Sequence, residues 1–195
     1  SDNRKVIENC EIGKSNSVRR AIEEVSSEVM ILTDADSIVD GNAFRYLLRT
    51  LGRADVTAAC GIDGGDMSIY RRISNWIRVS ESNIGASVVF EGSLCGFKTS
   101  HLNLDSIDVR RNADDSQLAV SSQRNGGKSV FVKECTFKDM EEVVNSRERK
   151  VRRAQGLVRH LMKEMMDSNN SILIRLIAGF NLHMYTIMPM ALLLA

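Results

Sequence analysis

The stretch VMILTDADSIV, residues 29–39, constrains this chain more than any other. Val29 to Thr33 is a continuous run of apolar and β-branched residues. It reads as a strand buried on both faces, as in parallel sheets sandwiched by helices. The run ends in two carboxylates, Asp34 and Asp36, spaced i, i+2. In open α/β sheets, ligands bind beyond the carboxyl ends of strands. Two aspartates there make a hard-oxygen site suited to Mg²⁺ or Mn²⁺ bridging a diphosphate. A nucleotide leaving group departs with negative charge, which a divalent ion stabilises. Taken alone, a DxD pattern also describes solvated aspartates at a strand–helix turn.

The surrounding pattern alternates helix and strand. Ser15 to Ser26 reads as a helix with Val18, Ala21, Ile22 and Val25 on one face. Asp40 can cap the next helix, whose Phe44, Leu47, Leu48 and Leu51 follow the helical period. Val56 to Cys60 is a second strand, and Gly61, Gly64 and Gly65 mark a loop. Ile69, Ile73, Trp76 and Ile77 share a face of a further helix. Val88 to Phe90 and Leu94 to Phe97 look extended, separated by Gly92. Asp114 to Ser122 reads as helix, Val130 to Val132 as a short strand. A long charged helix starts near Glu141 and passes through Arg159. This alternation argues for an α/β layered domain.

Composition adds exclusions. With 195 residues, 43% hydrophobic and 26% charged, the chain is neither disordered nor wholly membrane-buried. A net charge of +1 gives no reason to expect a polyanionic partner, and 5% aromatics argue against a single-strand nucleic-acid platform. Cys10, Cys60, Cys95 and Cys135 form no CxxC pair, so a reducing cytosolic setting is the simpler reading. Leu176 to Ala195 carries no formally charged residue with His183 neutral, and is about long enough to cross a bilayer. An interfacial helix leading into a span fits equally well, and a buried core helix is the alternative.

Three more groupings could carry chemistry. Gly13-Lys14-Ser15-Asn16 lies at a loop-to-helix transition, where amides and a lysine can hold phosphate, although a plain helix cap fits too. Ala113-Asp114-Asp115 opens a helix. Adjacent carboxylates repel, so one can gain a raised pKa and serve as a base, or both can simply cap the helix. RERKVRR, residues 147–153, puts arginines three and four apart, able to meet a pyrophosphate, anionic lipid or only solvent.

In this order, the pieces resemble glycosyltransferase family 2, especially its membrane-integrated polysaccharide synthases. GKSNSVRRAIEEVSSEVMILTDADSIVDGNA resembles the stretch from the donor-site lysine through the DxD strand. FEGSLCGFKTSHL is similar to the segment near the acceptor, ADDSQLAVSSQRNGGKSVFV to the base-bearing motif and following strand, and RERKVRRAQGLVRHLM to the arginine-containing interfacial helix. The resemblance implies an inverting transfer of a sugar from a nucleotide-diphosphate sugar to a glycan or lipid-linked hydroxyl. Asp36 would bind Mg²⁺ or Mn²⁺, Asp34 the nucleotide or the metal's shell, and Lys14 would lie near the nucleotide. Asp115 would be the catalytic base beside Asp114, and Arg152 would contact the donor diphosphate.

The resemblance also implies a GT-A-like, Rossmann-type layered domain over residues 1–165, incomplete because the family's first strand precedes this region. Residues 166–195 would form an interfacial helix and the start of a transmembrane segment. The catalytic domain would face the cytoplasm on the cell membrane, with lipid as a partner and no nucleic acid. Two positions depart from the family motif: Arg149 stands where it has glutamine, and Arg153 where it has an acceptor-stacking tryptophan. The rival enzyme is a haloacid-dehalogenase-type phosphatase with Asp34 as nucleophile and Asp36 as acid/base. The non-enzymatic rival is a degenerate transferase acting as a membrane scaffold.

Overall fold

The computed structural model describes residues 6–7, 13–65, 69–103, 105, 107–111, 113–139 and 147–194. The expected α/β layering is present. Helix α1 (Lys14–Glu23) leads into β1 (Val29–Leu32), the short β2 (Ser37–Val39), α2 (Ala43–Leu51), β3 (Val56–Asp63) and α3 (Ile69–Ile84). Strand β4 (Cys95–Lys98), α4 (Asp114–Arg124), β5 (Lys128–Asp139), α5 (Arg147–Met166) and α6 (Ile172–Leu194) follow. The five strands form one mixed sheet in the order β1-β4-β3-β5-β2. Strands β3 and β5 run parallel, while β1–β4, β3–β4 and β2–β5 are antiparallel.

Each layer follows from where apolar side chains fall. Leu47 and Leu51 of α2 are essentially fully buried against Val56, Leu94, Cys135 and Phe137. Burial of that kind contributes about 1.5–3 kcal/mol per large side chain. On the sheet's other side, Val18 and Ile22 of α1 and Leu118 of α4 pack with Phe90, Phe97 and Phe131. A third cluster joins α5 and α6 to residues 86–89 through Leu161, Ile174, Ile177 and Ala178. Cys60, Cys95 and Cys135 are buried free thiols.

Several local expectations are corrected. Strand β1 is not buried on both faces of a parallel sheet: it is an edge strand, antiparallel to β4, with only Met30 buried. Gly61 lies inside β3 rather than in a loop, and a close approach requires glycine there, since a Cβ would come within 2.8 Å of the Cys135 carbonyl. Strand β5 is far longer than Val130 to Val132. Residues 88–90 join no strand; only Ala86 bridges to Ser129. Asn42, not Asp40, is the N-cap of α2, while Asp40 Oδ1 accepts the Asn42 amide at 3.0 Å in the preceding turn. Helix α1 ends at Glu23 and α4 extends to Arg124; α5 is described from Arg147, and Glu141 lies outside the described residues.

The apolar stripe of α3 faces outward: Ile69, Ile73 and Trp76 are exposed, whereas Asn75, Arg78 and Glu81 point inward. Asn181 of α6 donates to Glu81 Oε1 at 2.5 Å, and burial pushes this carboxyl up to about 7 against the pull of Asn181 and Arg78. Helix α6 thus docks on the domain through Ile174, Ile177, Ala178 and Asn181. The span expected from Leu176 onward is not found: among the described residues, no helix is long and apolar enough to cross a membrane.

Candidate functional site

Strand β1 delivers its carboxylates to a turn. Thr33 Oγ1 donates to the Ser93 carbonyl at 2.9 Å, pinning the strand end against the segment before β4. The Ser37 amide donates to the Asp34 carbonyl at 3.2 Å, closing the turn that carries Asp36. Two helix N-termini arrive at the same place. Helix α1 begins with Lys14, whose Nζ lies 2.6 Å from Asp34 Oδ1. Helix α4 begins with Asp114 and Asp115, and the buried Ser15 hydroxyl donates to Asp114 Oδ1 at 3.0 Å, tying the two helix starts together. Free amides at such ends favour negative charge nearby.

The convergence is sharpest at Gly92. A Cβ added there would lie 3.1 Å from both Asp115 Oδ2 and Lys14 Nζ, and 3.7 Å from Asp34 Oδ2. Charged groups from α1, the β1 turn and α4 therefore crowd around a residue with no side chain. Ser116 holds this arrangement, its hydroxyl accepting the Phe90 amide at 3.0 Å. Glu91, next to Gly92, is fixed by Arg71 at 3.0 Å and by Arg78, while Arg71 also reaches Asp63 at 3.1 Å. The Arg78 guanidinium sits 5.7 Å from the Phe131 ring centroid, and the Glu91 amide donates to Cys60 Sγ at 3.3 Å.

Electrostatics separate the adjacent aspartates. Burial, then the charge of Asp114, pushes Asp115 up to about 6; Asp34 adds to this, while the Ser116 amide and Lys14 oppose it. For Lys14, partial burial works against the charge, but the hydrogen bond and charge of Asp34, helped by Asp114 and Asp115, win and hold its pKa above the usual lysine range. The site thus contains a carboxylate poised to take a proton near neutral pH and a cation locked in an acidic cluster.

Asp34 and Asp36 are two carboxylates, a hard-oxygen donor set of the type that suits a divalent ion. Mg²⁺ is commonly held by one or two carboxylates, with substrate phosphates completing the shell. The Lys14 ammonium sits against Asp34 Oδ1 at 2.6 Å and partly neutralises it. Among the described residues, no group of three or more His, Cys, Asp or Glu side chains gathers to hold an ion unaided.

Of the residues singled out in the sequence, Lys14, Asp34, Asp114 and Asp115 come together, and Asp36 stands on the adjoining turn. Arg152 makes no ion pair or hydrogen bond to them. It is exposed on α5, and no described residue forms an ion pair with it. Sequence reasoning missed Gly92 as the centre of the site, Ser15 as the link to Asp114, and the Arg71–Glu91–Arg78 group. The one signal available was a glycine between two apolar runs, and it does not separate this role from a turn.

The sequence matches no family model and no curated protein. Its fold is similar to that of solved nucleotide-sugar transferases. A mannosyltransferase, PcManGT from Pyrobaculum calidifontis, solved with GDP-Man and Mn²⁺, superimposes with a TM-score of 0.73 at 24% identity over 92% of this chain. Glucosyl-3-phosphoglycerate synthase from Mycobacterium tuberculosis, solved with Mn²⁺ and UDP-glucose, gives 0.52 at 12% identity over 80% of the chain. The chain covers 51% and 56% of those two structures, so it spans about half their length. At these identities the likeness shows the fold: an α/β domain of the GT-A type.

Proposed function

We propose that this chain is the catalytic core of an inverting glycosyltransferase, moving a sugar from a nucleotide-diphosphate sugar to an acceptor hydroxyl. The observation that carries the reading is the convergence of Lys14, Asp34 and Asp115 on Gly92 within this fold. In a single displacement, Asp115 accepts the acceptor's proton as its oxygen attacks the anomeric carbon, and the nucleotide diphosphate leaves from the opposite face. Lys14 and the amides at the start of α1 take up the diphosphate's growing charge. Asp34 orients Lys14, and Asp114, held by Ser15, keeps its neighbour's proton affinity high. Arg152, exposed on α5, would add a cation to the diphosphate. A divalent ion on Asp36 and Asp34 would supply electrostatic stabilisation of the leaving group. The fold likeness supports this reading over the phosphatase alternative.

The metal is testable. In the full-length protein, excess EDTA should abolish transfer, with Mg²⁺ or Mn²⁺ restoring it. Asp36→Ala should weaken Mn²⁺-dependent donor binding by more than about tenfold, read by calorimetry. Full transfer in excess EDTA overturns the metal role.

The reading extends to a lipid surface on the cytoplasmic side of the cell membrane, with a glycan or lipid-linked acceptor. Ile172, Leu176, Phe180 and Ile187 form an exposed apolar row on α6, and the 147–153 arginines precede it; both support lipid contact. Liposome flotation should weaken when Leu176–Ala195 is deleted, and unchanged flotation removes the tail as anchor.

A further inference from the structure

We propose that Glu164, on α5, is a positioning residue for Asp115, acting by gripping α4 from both ends. This rests on the glycosyl-transfer reading only in calling Asp115 the base. Glu164 is 3% exposed, far from the site's reacting groups in sequence, yet it is the hub of the densest buried ionic network among the described residues. Its Oε1 meets Arg111 Nη1 at 3.1 Å, and its Oε2 meets Arg124 Nη2 at 2.6 Å. Asn170 completes the hub: its amide donates to Glu164 Oε2 at 2.8 Å, and its Oδ1 accepts Arg124 Nε at 2.7 Å.

The two arginines hold opposite ends of the base-bearing helix. Arg124 is the last residue of α4. Arg111 lies three residues before Asp114 and bonds Asp108 Oδ2 at 3.1 Å. Asp108 in turn is locked to the first turn of α4: its amide donates to Gln117 Oε1 at 2.8 Å, and Gln117 Nε2 donates to its carbonyl at 3.1 Å. One carboxylate therefore closes a loop from Arg111 through Asp108 and Gln117, along α4, and back through Arg124.

One turn earlier on α5, His160 secures the opposite wall. Its Nε2 pairs with the Val88 carbonyl at 3.0 Å, and burial holds the imidazole neutral, so Nε2–H donates. Phe90, two residues on, bonds Ser116 beside Asp115, and Gly92 follows. Helix α5 thus references both the base and the glycine it faces to one rigid element. Misplacing a reacting group by about 1 Å can cost about a hundredfold in rate, which is the scale on which such a splint matters.

The test uses the full-length protein with three variants. Glu164→Gln keeps the shape and removes the charge; Arg111→Lys keeps the charge and loses the fork; Leu47→Ala damages the unrelated core under α2. The first two should lower kcat by about tenfold or more while donor Kd stays within about twofold, and amide exchange across Asp114–Gln123 should quicken. Leu47→Ala should lower thermal stability without either change. Turnover within about twofold of wild type in both clamp variants, an equal kcat loss in Leu47→Ala, or unchanged exchange overturns the inference. A wild-type protein that transfers no sugar from any nucleotide donor sinks the glycosyl-transfer reading instead, and exchange alone then decides whether Glu164 clamps α4.

Discussion

Asp115→Asn is expected to abolish nearly all turnover while making the folded protein more stable at neutral pH. The catalytic half follows from geometry. Asp115 Oδ2 faces the space at Gly92 that Lys14 and Asp34 also border. Removing a positioned base costs about a hundred- to ten-thousand-fold in rate. Asparagine is nearly isosteric, so Lys14 and Asp34 stay in place and donor affinity should hold. Asp114→Asn should cost less, because Asp114 is spent on Ser15 and acts through its neighbour's charge. The check is kcat and donor binding for both variants, with NMR of the product's anomeric configuration. A near-normal Asp115→Asn enzyme, or retained configuration, shows that the base lies elsewhere.

The stability half follows from linkage. Burial and Asp114 raise Asp115 from an ordinary aspartate value of 3.8 to about 6 in the folded chain. A raised carboxyl pKa means the folded state binds the proton more tightly than the unfolded one. Its contribution is therefore complete below about 3.8 and is lost as pH rises through about 6. At 1.36 kcal/mol per pH unit, ionising Asp115 at neutral pH costs at most about 3 kcal/mol. Asparagine removes that cost, so the melting temperature should rise at pH 7.5 and differ little at pH 4. If Asp115 is the base, as proposed, the wild-type rate should fall as pH drops below about 6, where its carboxyl is protonated. A variant both inactive and more stable cannot be dismissed as misfolded.

Much of this site was legible because its chemistry is local. An apolar β-branched run reads as a strand and carboxylates at its end fall in the following turn, so Asp34 and Asp36 could be placed at a strand end, although β1 is a half-buried antiparallel edge strand and not the buried parallel strand expected. Asp114 and Asp115 were readable as a helix start for the same reason. What escaped the sequence was non-local. Helix α3 has an apolar stripe that periodicity assigns to the core, yet Asn75, Arg78 and Glu81 point inward instead. Glu91 supplies a partner to Arg78, Asn181 to Glu81 and the Asp63 carbonyl to Asn75, all outside α3. Strand β5 was read as three residues because Lys133, Glu134 and Lys138 interrupt its apolar run. Its pairing with β3 on one side and β2 on the other extends it to Asp139 regardless. Arg152 shows the converse: a motif position can be assigned from sequence, but its reach toward the site depends on how α5 is laid across the domain.

Gly92→Val should reduce kcat/KM by about a hundredfold or more while the fold survives. The two crowded glycines make the contrast. At Gly61 a Cβ would meet the Cys135 carbonyl at 2.8 Å, so substitution there strains the sheet itself. At Gly92 a Cβ would meet only the tips of side chains, Asp115 Oδ2 and Lys14 Nζ, each at 3.1 Å. Those tips can yield by a few tenths of an ångström, so folding is spared, but in the proposed reaction they are the groups whose placement sets the rate. Valine adds two methyl groups beyond that Cβ, among the charged groups that border it. Displacement on the order of 1 Å costs about a hundredfold, and the apolar methyls also desolvate Lys14 and loosen its hold on Asp34. Donor affinity should therefore fall together with turnover, unlike Asp115→Asn, where turnover alone collapses. Gly92→Ala should be intermediate. Melting temperature, donor Kd and kcat measured for both variants decide the matter: a Gly92→Val protein that folds, binds donor normally and turns over at near wild-type rate would mean that the reacting groups meet somewhere other than Gly92.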